Sequence, residues 1–310
     1  MNNYKKYDVV ALGEAILDFV PSSDYIGGTY QASVGGAPLN VAFSLSKLVK
    51  RVAMITRIGS DPIGDYILNE MKNSGLDISY VQRDTHRNTP ITIVMPEKIT
   101  STRFVIYREG GSDTAIDFTE IPKEVFANTH IFHIGTLTMS SSISAMATRQ
   151  SAINAQKNGA IISLDVNLRP GVWKSKNEMI ESTWELINFA NIVKMTSDEA
   201  EYINLSLDNP VIQKKLLLIT NGDKSTRLFT KDYSLELPAY KVRVVDTTGA
   251  GDSFMAAFLY KYLELIKKDE GVVNEQLRKC LEVAIYAGAL SVQKVGGTIN
   301  SLTKEDLINI

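Results

Sequence analysis

The spacing of apolar positions divides the chain into strands and helices. Residues 8–13 (DVVALG) are a continuous apolar run with β-branched side chains closed by glycine, which predicts a strand buried on both faces, as in a parallel sheet. The next helical period appears at 36–49, and the text at 15–30 consists of short strand-like pieces broken by Pro21, Ser22, Ser23 and the Gly27-Gly28 pair. A strand at 52–58, a turn at Ser60-Asp61-Pro62 and a helix over 64–73 stopped by Gly75 come next. Residues 89–95 and 102–108 then alternate Thr, Val, Ile, Phe and Tyr with no helix between them. They are expected to join the first insertion as a small β lid drawn from segments 14–34 and 89–117.

Beyond the lid the alternation resumes. Strands are predicted at 131–135, 160–165, 192–195 and 216–221, with helices at 144–157 and 178–188. Two short β segments at 226–230 and 234–237 precede long helices over 250–267 and 275–294. This order is that of right-handed βαβ units on a sheet covered on both faces. The expected architecture is one α/β domain over residues 1–310, a Rossmann-like three-layer α/β/α body with a small β-sheet lid.

Charge and cysteine usage narrow the function classes. Thirty-three Lys and Arg against 35 Asp and Glu give a net charge of −2, so no bulk positive field draws the chain to nucleic acid or anionic lipid, and neither is expected as a partner. The start runs straight into the first strand, and nowhere do about 18 uncharged apolar residues follow one another. No export signal or membrane span is therefore expected. Cys280 is the single cysteine, which excludes an intramolecular disulfide and points to a reducing cytoplasm; its apolar helical surroundings make it a buried small hydrophobe. The three histidines form no metal cluster: His86 lies in polar turn text, and His130 and His133 are read as flanking a strand, His133 as a satisfied core residue.

The chemistry is concentrated at Val244-Val245-Asp246-Thr247-Thr248-Gly249-Ala250-Gly251-Asp252-Ser253-Phe254, a strand end that turns through glycines into a helix. Free N–H groups of a first helical turn and the helix dipole make an anion hole. An acid inside such a cradle repels the anion, so Asp252 makes sense as a base for a hydroxyl that attacks a phosphoryl group. The dinucleotide pattern GxGxxG is not met, because the third glycine is missing and the segment lies near the C-terminus; GxxxxGK[ST] does not occur. A second segment, Gly35-Gly36-Ala37-Pro38-Leu39-Asn40, enters a helix with glycines that permit close approach of a polyhydroxylated ligand and an Asn that donates and accepts, or else is a simple helix cap. Asp18, between Leu17 and Phe19, is either a solvated charge or a clamp for two hydroxyls.

Together these segments resemble the ribokinase-like (PfkB) carbohydrate kinases, and within them the fructokinases. Gly13-Glu14 with Asp18-Phe19-Val20-Pro21 is similar to the fructokinase opening, residues 35–42 to the first family signature and residues 246–253 to the second. Arg57-Ile58-Gly59-Ser60-Asp61-Pro62, Tyr107-Arg108 and Asp165-Val166-Asn167-Leu168-Arg169-Pro170 stand where fructokinases have similar text. The resemblance implies ATP-dependent phosphorylation of a ketohexose hydroxyl, D-fructose to fructose 6-phosphate first, with Mg²⁺ and with K⁺ as a further cation. It implies Asp252 as the base, with Gly249, Ala250, Gly251 and Arg169 at the transferred phosphoryl group. It also implies Asp18, Gly35, Gly36, Asn40, Tyr107, Arg108 and Asn167 on the sugar, and Lys194, Thr220, Gly222, Ala287 and Ser291 on the nucleotide. Glu199 is implied to hold Mg²⁺ through water, and Asp246, Thr248, Gly296 and Ser301 a monovalent cation. A homodimer through the lid follows by the same analogy.

Three positions depart from the pattern. Thr196 replaces the Asn of the family's NxxE segment, Ser225 the second glycine of TxGxxG, and Ile285 an Asn often found beside adenine. A neighbouring reading within the family is a 2-keto-3-deoxygluconate kinase, with Arg103 and Arg108 pairing the substrate carboxylate. A reading from another class is a silent sugar- or nucleotide-binding regulator on the same fold.

Overall fold

Strand β1 (Tyr7–Leu12) is buried along its whole length, and its alternate side chains enter two different cores. Val9 and Ala11 pack with helices α1 (Ala37–Leu48), α7 (Ala250–Lys268) and α8 (Asn274–Ser291) on one face. Val10 and Leu12 pack with α4 (Ser142–Lys157) and α5 (Lys176–Phe189) on the other. A strand apolar on both faces is thus covered twice, the three-layer arrangement that its sequence predicts, and each Val or Leu so enclosed contributes about 1.5–3 kcal/mol. The computed structural model describes residues 5–22, 27–48, 51–95, 104–268 and 273–293, with Lys304 and Leu307.

The main sheet is completed by β4 (Val52–Gly59), β5 (Val81–Asp84), β8 (Thr129–Gly135), β9 (Ile161–Asp165), β10 (Ile192–Thr196), β11 (Leu216–Asn221), β12 (Ser225–Phe229) and β13 (Ser234–Pro238). Its order is β13-β12-β11-β10-β9-β8-β1-β4-β5, parallel from β11 through β5, with β12 and β13 added as an antiparallel edge. The lid is a separate four-stranded sheet ordered β3-β2-β6-β7, from β2 (Ile16–Pro21), β3 (Tyr30–Gly35), β6 (Ile91–Val94) and β7 (Phe104–Tyr107). The inserted segments pair as the alternation predicts: β2 with β3 and β6 with β7 antiparallel, β2 with β6 parallel. No helix among the described residues is long and apolar enough to cross a membrane.

The structure corrects several boundaries. Helix α2 (Pro62–Asn73) starts two residues before the expected 64, because Asp61 caps it by accepting from Gly64 N at 2.8 Å and Pro62 suits the first helical position. Strand β5 escapes hydrophobic patterning since Val-Gln-Arg-Asp is polar; its buried Gln82 and Asp84 are consumed by hydrogen bonds to neighbouring segments. Helix α6 (Ser197–Tyr202) was not predicted, although its capping box of Thr196 and Glu199 is a readable signal. His130 and His133 lie inside β8 rather than flanking a strand. The His133 ring is fully enclosed, Nδ1 3.0 Å from Ser163 Oγ, and burial drives its pKa down to about 3, so it is a neutral core residue. Cys280 is fully buried in α8, and burial pushes its thiol up to about 12.

Candidate active site

From β1 the chain builds outward to β4 and β5, then returns to add β8, β9, β10 and β11 on the other side. The order of strand addition therefore reverses between β1 and β8, and crevices for ligands form at the carboxyl ends of strands where this happens. A cavity of about 380 Å³ opens there, a size usual for small-molecule sites. The body lines it with Asn40 of α1, Asn167 and Arg169 after β9, and Gly251 and Asp252 of α7; the lid contributes Asp18 of β2 and Thr92 of β6.

Asp252 stands in the first turn of α7, 8% exposed, with Oδ2 accepting a 2.8 Å hydrogen bond from Asn40 Nδ2. Burial raises its pKa, while Asn40, Lys194 and Arg169 pull the other way. The result is a carboxylate with enhanced proton affinity beside the N–H groups that a first helical turn leaves unpaired. Gly249 has a φ of 75°, a left-handed conformation that a side chain would strain, and it turns the chain into the helix. Asp246 steadies the approach, its Oδ1 accepting from Thr248 N at 2.9 Å and from Thr248 Oγ1 at 2.8 Å.

The lid side is polar and acidic. Asp18 lines the cavity, and burial pushes its carboxyl up to about 7 against a hydrogen bond from Thr92 and the attraction of Arg169. Gly35 does not itself line the space; a Cβ there would collide with the Asp18 carboxylate, so the missing side chain makes room for the acid. Arg169 lays its guanidinium 5.2 Å from the centroid of the Phe104 ring, joining the loop after β9 to the lid. Asn167 takes a φ of 42°, which Asn tolerates better than most residues.

Not every residue that the resemblance implied reaches this cavity. Phe104 and Ile106 of β7 face it, so the strand's alternation turns Tyr107 away, where it is 59% exposed. Arg108 is buried with Nε on Asp113 Oδ2 at 2.5 Å, Nη1 on Ser140 Oγ and Nη2 on the Leu137 carbonyl; all three nitrogens are tied to the protein and the residue does not line the space. Arg103, Gly296 and Ser301 lie outside the described residues. Glu199 accepts Leu168 N on Oε1 at 2.6 Å and Thr196 N on Oε2 at 2.8 Å, so both oxygens are engaged by backbone. Thr220 and Gly222 at the end of β11, and Ala287 and Ser291 buried in α8, also lie away from the cavity. Residues that sequence reasoning passed over are Glu14, Thr92, Thr136 and Leu137, all lining it. Glu14, Thr136 and Leu137 follow β1 and β8, and the reversal rule finds them once strand order is known.

A buried carboxylate in the first turn of a helix, facing the polar side chains of a lid across one cavity, is an arrangement suited to phosphoryl transfer to an alcohol. Residues 6–304 match the family described as pfkB family carbohydrate kinase, and the chain belongs to it; it is a phosphotransferase with an alcohol group as acceptor. Over 302 residues the chain is 31% identical to probable fructokinase-5 of Arabidopsis thaliana, covering 93% of this chain and 92% of that one. It is 28% identical to fructokinase-1 of Oryza sativa subsp. japonica, with 97% of each covered. Among solved structures, fructokinase with bound ATP from Xylella fastidiosa is similar at a TM-score of 0.89 and 26% identity, with 98% of each chain covered. An uncharacterised sugar kinase from Pyrococcus horikoshii in complex with ATP is similar at 0.85 and 28%, with 97% of each covered.

Proposed function

We propose that the protein phosphorylates a ketohexose at a primary hydroxyl with ATP, D-fructose to fructose 6-phosphate first. The observation that carries this is the Asp252 carboxylate, held by Asn40 at the mouth of the α7 turn and opening into the same cavity as Asp18 and Arg169. The relatives named above as fructokinases support the choice of sugar. In the reaction Asp252 takes the proton of the attacking hydroxyl as the phosphoryl group passes in line, and the amides around Gly249, Ala250 and Gly251 receive the developing charge. Asp18, Asn40 and Asn167 orient the sugar, and the lid excludes the water that would otherwise accept the phosphoryl group.

Among the described residues no three His, Cys, Asp or Glu side chains are grouped to hold a metal ion. A divalent ion such as Mg²⁺ would come with the nucleotide and would supply charge neutralisation; Glu199, whose oxygens accept from Leu168 N and Thr196 N, would act on it only at a distance, through water. Asp246 and Thr248 are the described part of a K⁺ site on this reading; a fructokinase from Vibrio cholerae has been solved with fructose, ADP and potassium ion bound. The lone cysteine favours a reducing cytoplasm as the place of action. A second copy docked on the lid belongs to the same reading, with exposed Tyr107 available to it, and a sedimentation run returning monomer at working concentration removes it.

The deciding experiment is ATP turnover against a panel of fructose, tagatose, ribose and 2-keto-3-deoxygluconate. The expected result is sugar-dependent ADP release with fructose giving the highest kcat/KM. The sugar acid is expected to be poor because Arg108 does not line the cavity and is held by Asp113, Ser140 and the Leu137 carbonyl. ATP binding with no turnover on any sugar would mean a regulator.

A further inference from the structure

Glu14 follows the carboxyl end of β1 and lines the cavity, yet it is only 4% exposed. Its Oε1 accepts a 2.9 Å hydrogen bond from the backbone N–H of Ala37, the first residue of α1. Oε2 is buried and has no hydrogen-bond partner among the described residues. One oxygen suffices to satisfy a helix N-terminus, so that role accounts for Oε1 and leaves Oε2 unexplained. A buried acceptor without a donor costs stability, and a folded protein keeps one for a reason.

The side chains around Glu14 do not supply the donor. Leu12 pairs with Ile134, and two residues later the same register sets Glu14 beside Thr136, whose Oγ1 already donates to the Val166 carbonyl at 2.6 Å. Arg108 acts on Glu14 by charge alone, since its Nε, Nη1 and Nη2 are held by Asp113, Ser140 and the Leu137 carbonyl. Asp113 is the other charge acting on Glu14, and it opposes ionisation. Burial outweighs the remaining influences and pushes the carboxyl up to about 7.

Helix α1 sets the place of Glu14 along the cavity. Ala37 holds Glu14, and Asn40, three residues and about 4.5 Å of helix rise further on, holds Asp252. Asp252 belongs to the end where Lys194 and Arg169 act on it, whereas Glu14 answers to Arg108 and Asp113. The first turn of α1 thus carries one acid at each end, a span comparable to a sugar ring.

We infer that Glu14 is a specificity-determining residue of the sugar site, its Oε2 accepting a hydrogen bond from a ketose hydroxyl at the end remote from the phosphorylated carbon, on C1 or C2. The inference rests on the kinase reading above and names the part of the substrate that this end of the cavity reads. A sugar lacking that hydroxyl leaves a buried, charged acceptor unpaired, which is how a polar site rejects an analogue that fits by shape.

The test is steady-state kinetics of the full chain at pH 8, where Glu14 is ionised, with fructose, 1-deoxyfructose and 2,5-anhydromannitol. The two analogues lack the hydroxyl on C1 and on C2 respectively. Wild type is expected to favour fructose over one of them by roughly 10–100-fold in kcat/KM. Glu14→Gln keeps an oxygen for Ala37 N but replaces the charged acceptor with a neutral amide donor. It should raise fructose KM about tenfold with kcat and ATP KM nearly unchanged, and cut the preference by a similar factor. Glu14→Met should abolish the preference; if that variant does not fold, Glu14→Gln decides alone. Equal kcat/KM for all three sugars in wild type, the result if a fixed water satisfies Oε2, would overturn the inference. So would a preference that survives the substitutions, or a loss equal for every sugar, which marks a helix cap and nothing more. If wild type phosphorylates no sugar, the proposed function fails instead. Calorimetric titration of the same three sugars into wild type and Glu14→Gln then decides the role of Glu14, and an absence of binding overturns it.

Discussion

Two regions of the protein bury aspartates and treat them in opposite ways. At the β4–β5 edge Asp84 is enclosed, yet Oδ1 accepts from His86 N and Arg87 N, both at 2.9 Å, and Oδ2 from Arg57 Nε at 2.9 Å. Burial opposes its charge, but these donors outweigh it and hold the carboxyl well below its ordinary value. In the cleft the donors are fewer. Asp252 has Asn40, Asp18 has Thr92, and Glu14 Oε1 accepts from Ala37 N while Oε2 is buried without a hydrogen-bond partner. Burial wins there, and Asp18 and Glu14 are both pushed up to about 7. Between these two regions it is the number of donors meeting each carboxylate that decides whether burial or hydrogen bonding sets its proton affinity.

The contrast breaks first, if it is wrong, at Asp252. Asp252→Asn should cost at least ~10³ in kcat, about 4 kcal/mol, while its melting temperature at pH 8 equals or exceeds the parent's, since a raised carboxyl destabilises the fold when ionised. A large stability loss with retained turnover would make it a structural acid like Asp84. Asp84→Ala should do the reverse, losing about 3 kcal/mol in denaturant titration by leaving Arg57 without its buried partner, with near-normal kcat in the folded fraction. Gly35→Ala, which drives a methyl into the Asp18 carboxylate, should raise sugar KM roughly tenfold and leave ATP KM alone.

The smallest effect separates the regions by pH. Glu14 has a folded value near 7 and an unfolded value near 4, so its cost is present above pH 7 and relieved as pH falls through that window. Thermal melts should show Glu14→Gln gaining on the order of 1 kcal/mol over the parent at pH 8 and nothing near pH 4. Asp84, whose folded value is depressed, gives stability above about pH 4 that is lost as pH falls further, so the deficit of Asp84→Asn should shrink in acid. Parallel pH dependence in the two variants would erase the distinction.

Much of the frame was legible because it depends on local pattern. The apolar run of β1, the alternation of β6 and β7, and the glycine turn into α7 each specify an element from neighbouring residues alone. Polar β5 and short α6 were not legible by period, since their side chains are used in contacts with segments distant in the chain or in a cap. At the site the same division holds. The placing of Asp252 and its glycines at a helix start beside the cavity was readable, but Tyr107 and Arg108, which follow cavity-facing Ile106, were turned outward or captured by Asp113.

The sequence by itself determined the class of chemistry, because a helix N-terminus with an acid on its first turn is made by consecutive residues. Tertiary structure alone decided which buried acids were left short of donors and where Lys194 was buried. Asn40 reaches Asp252 across 212 positions, and Lys194 meets Asp165 through strand register, so the donors that tune each charge come from elements the chain brings together only on folding.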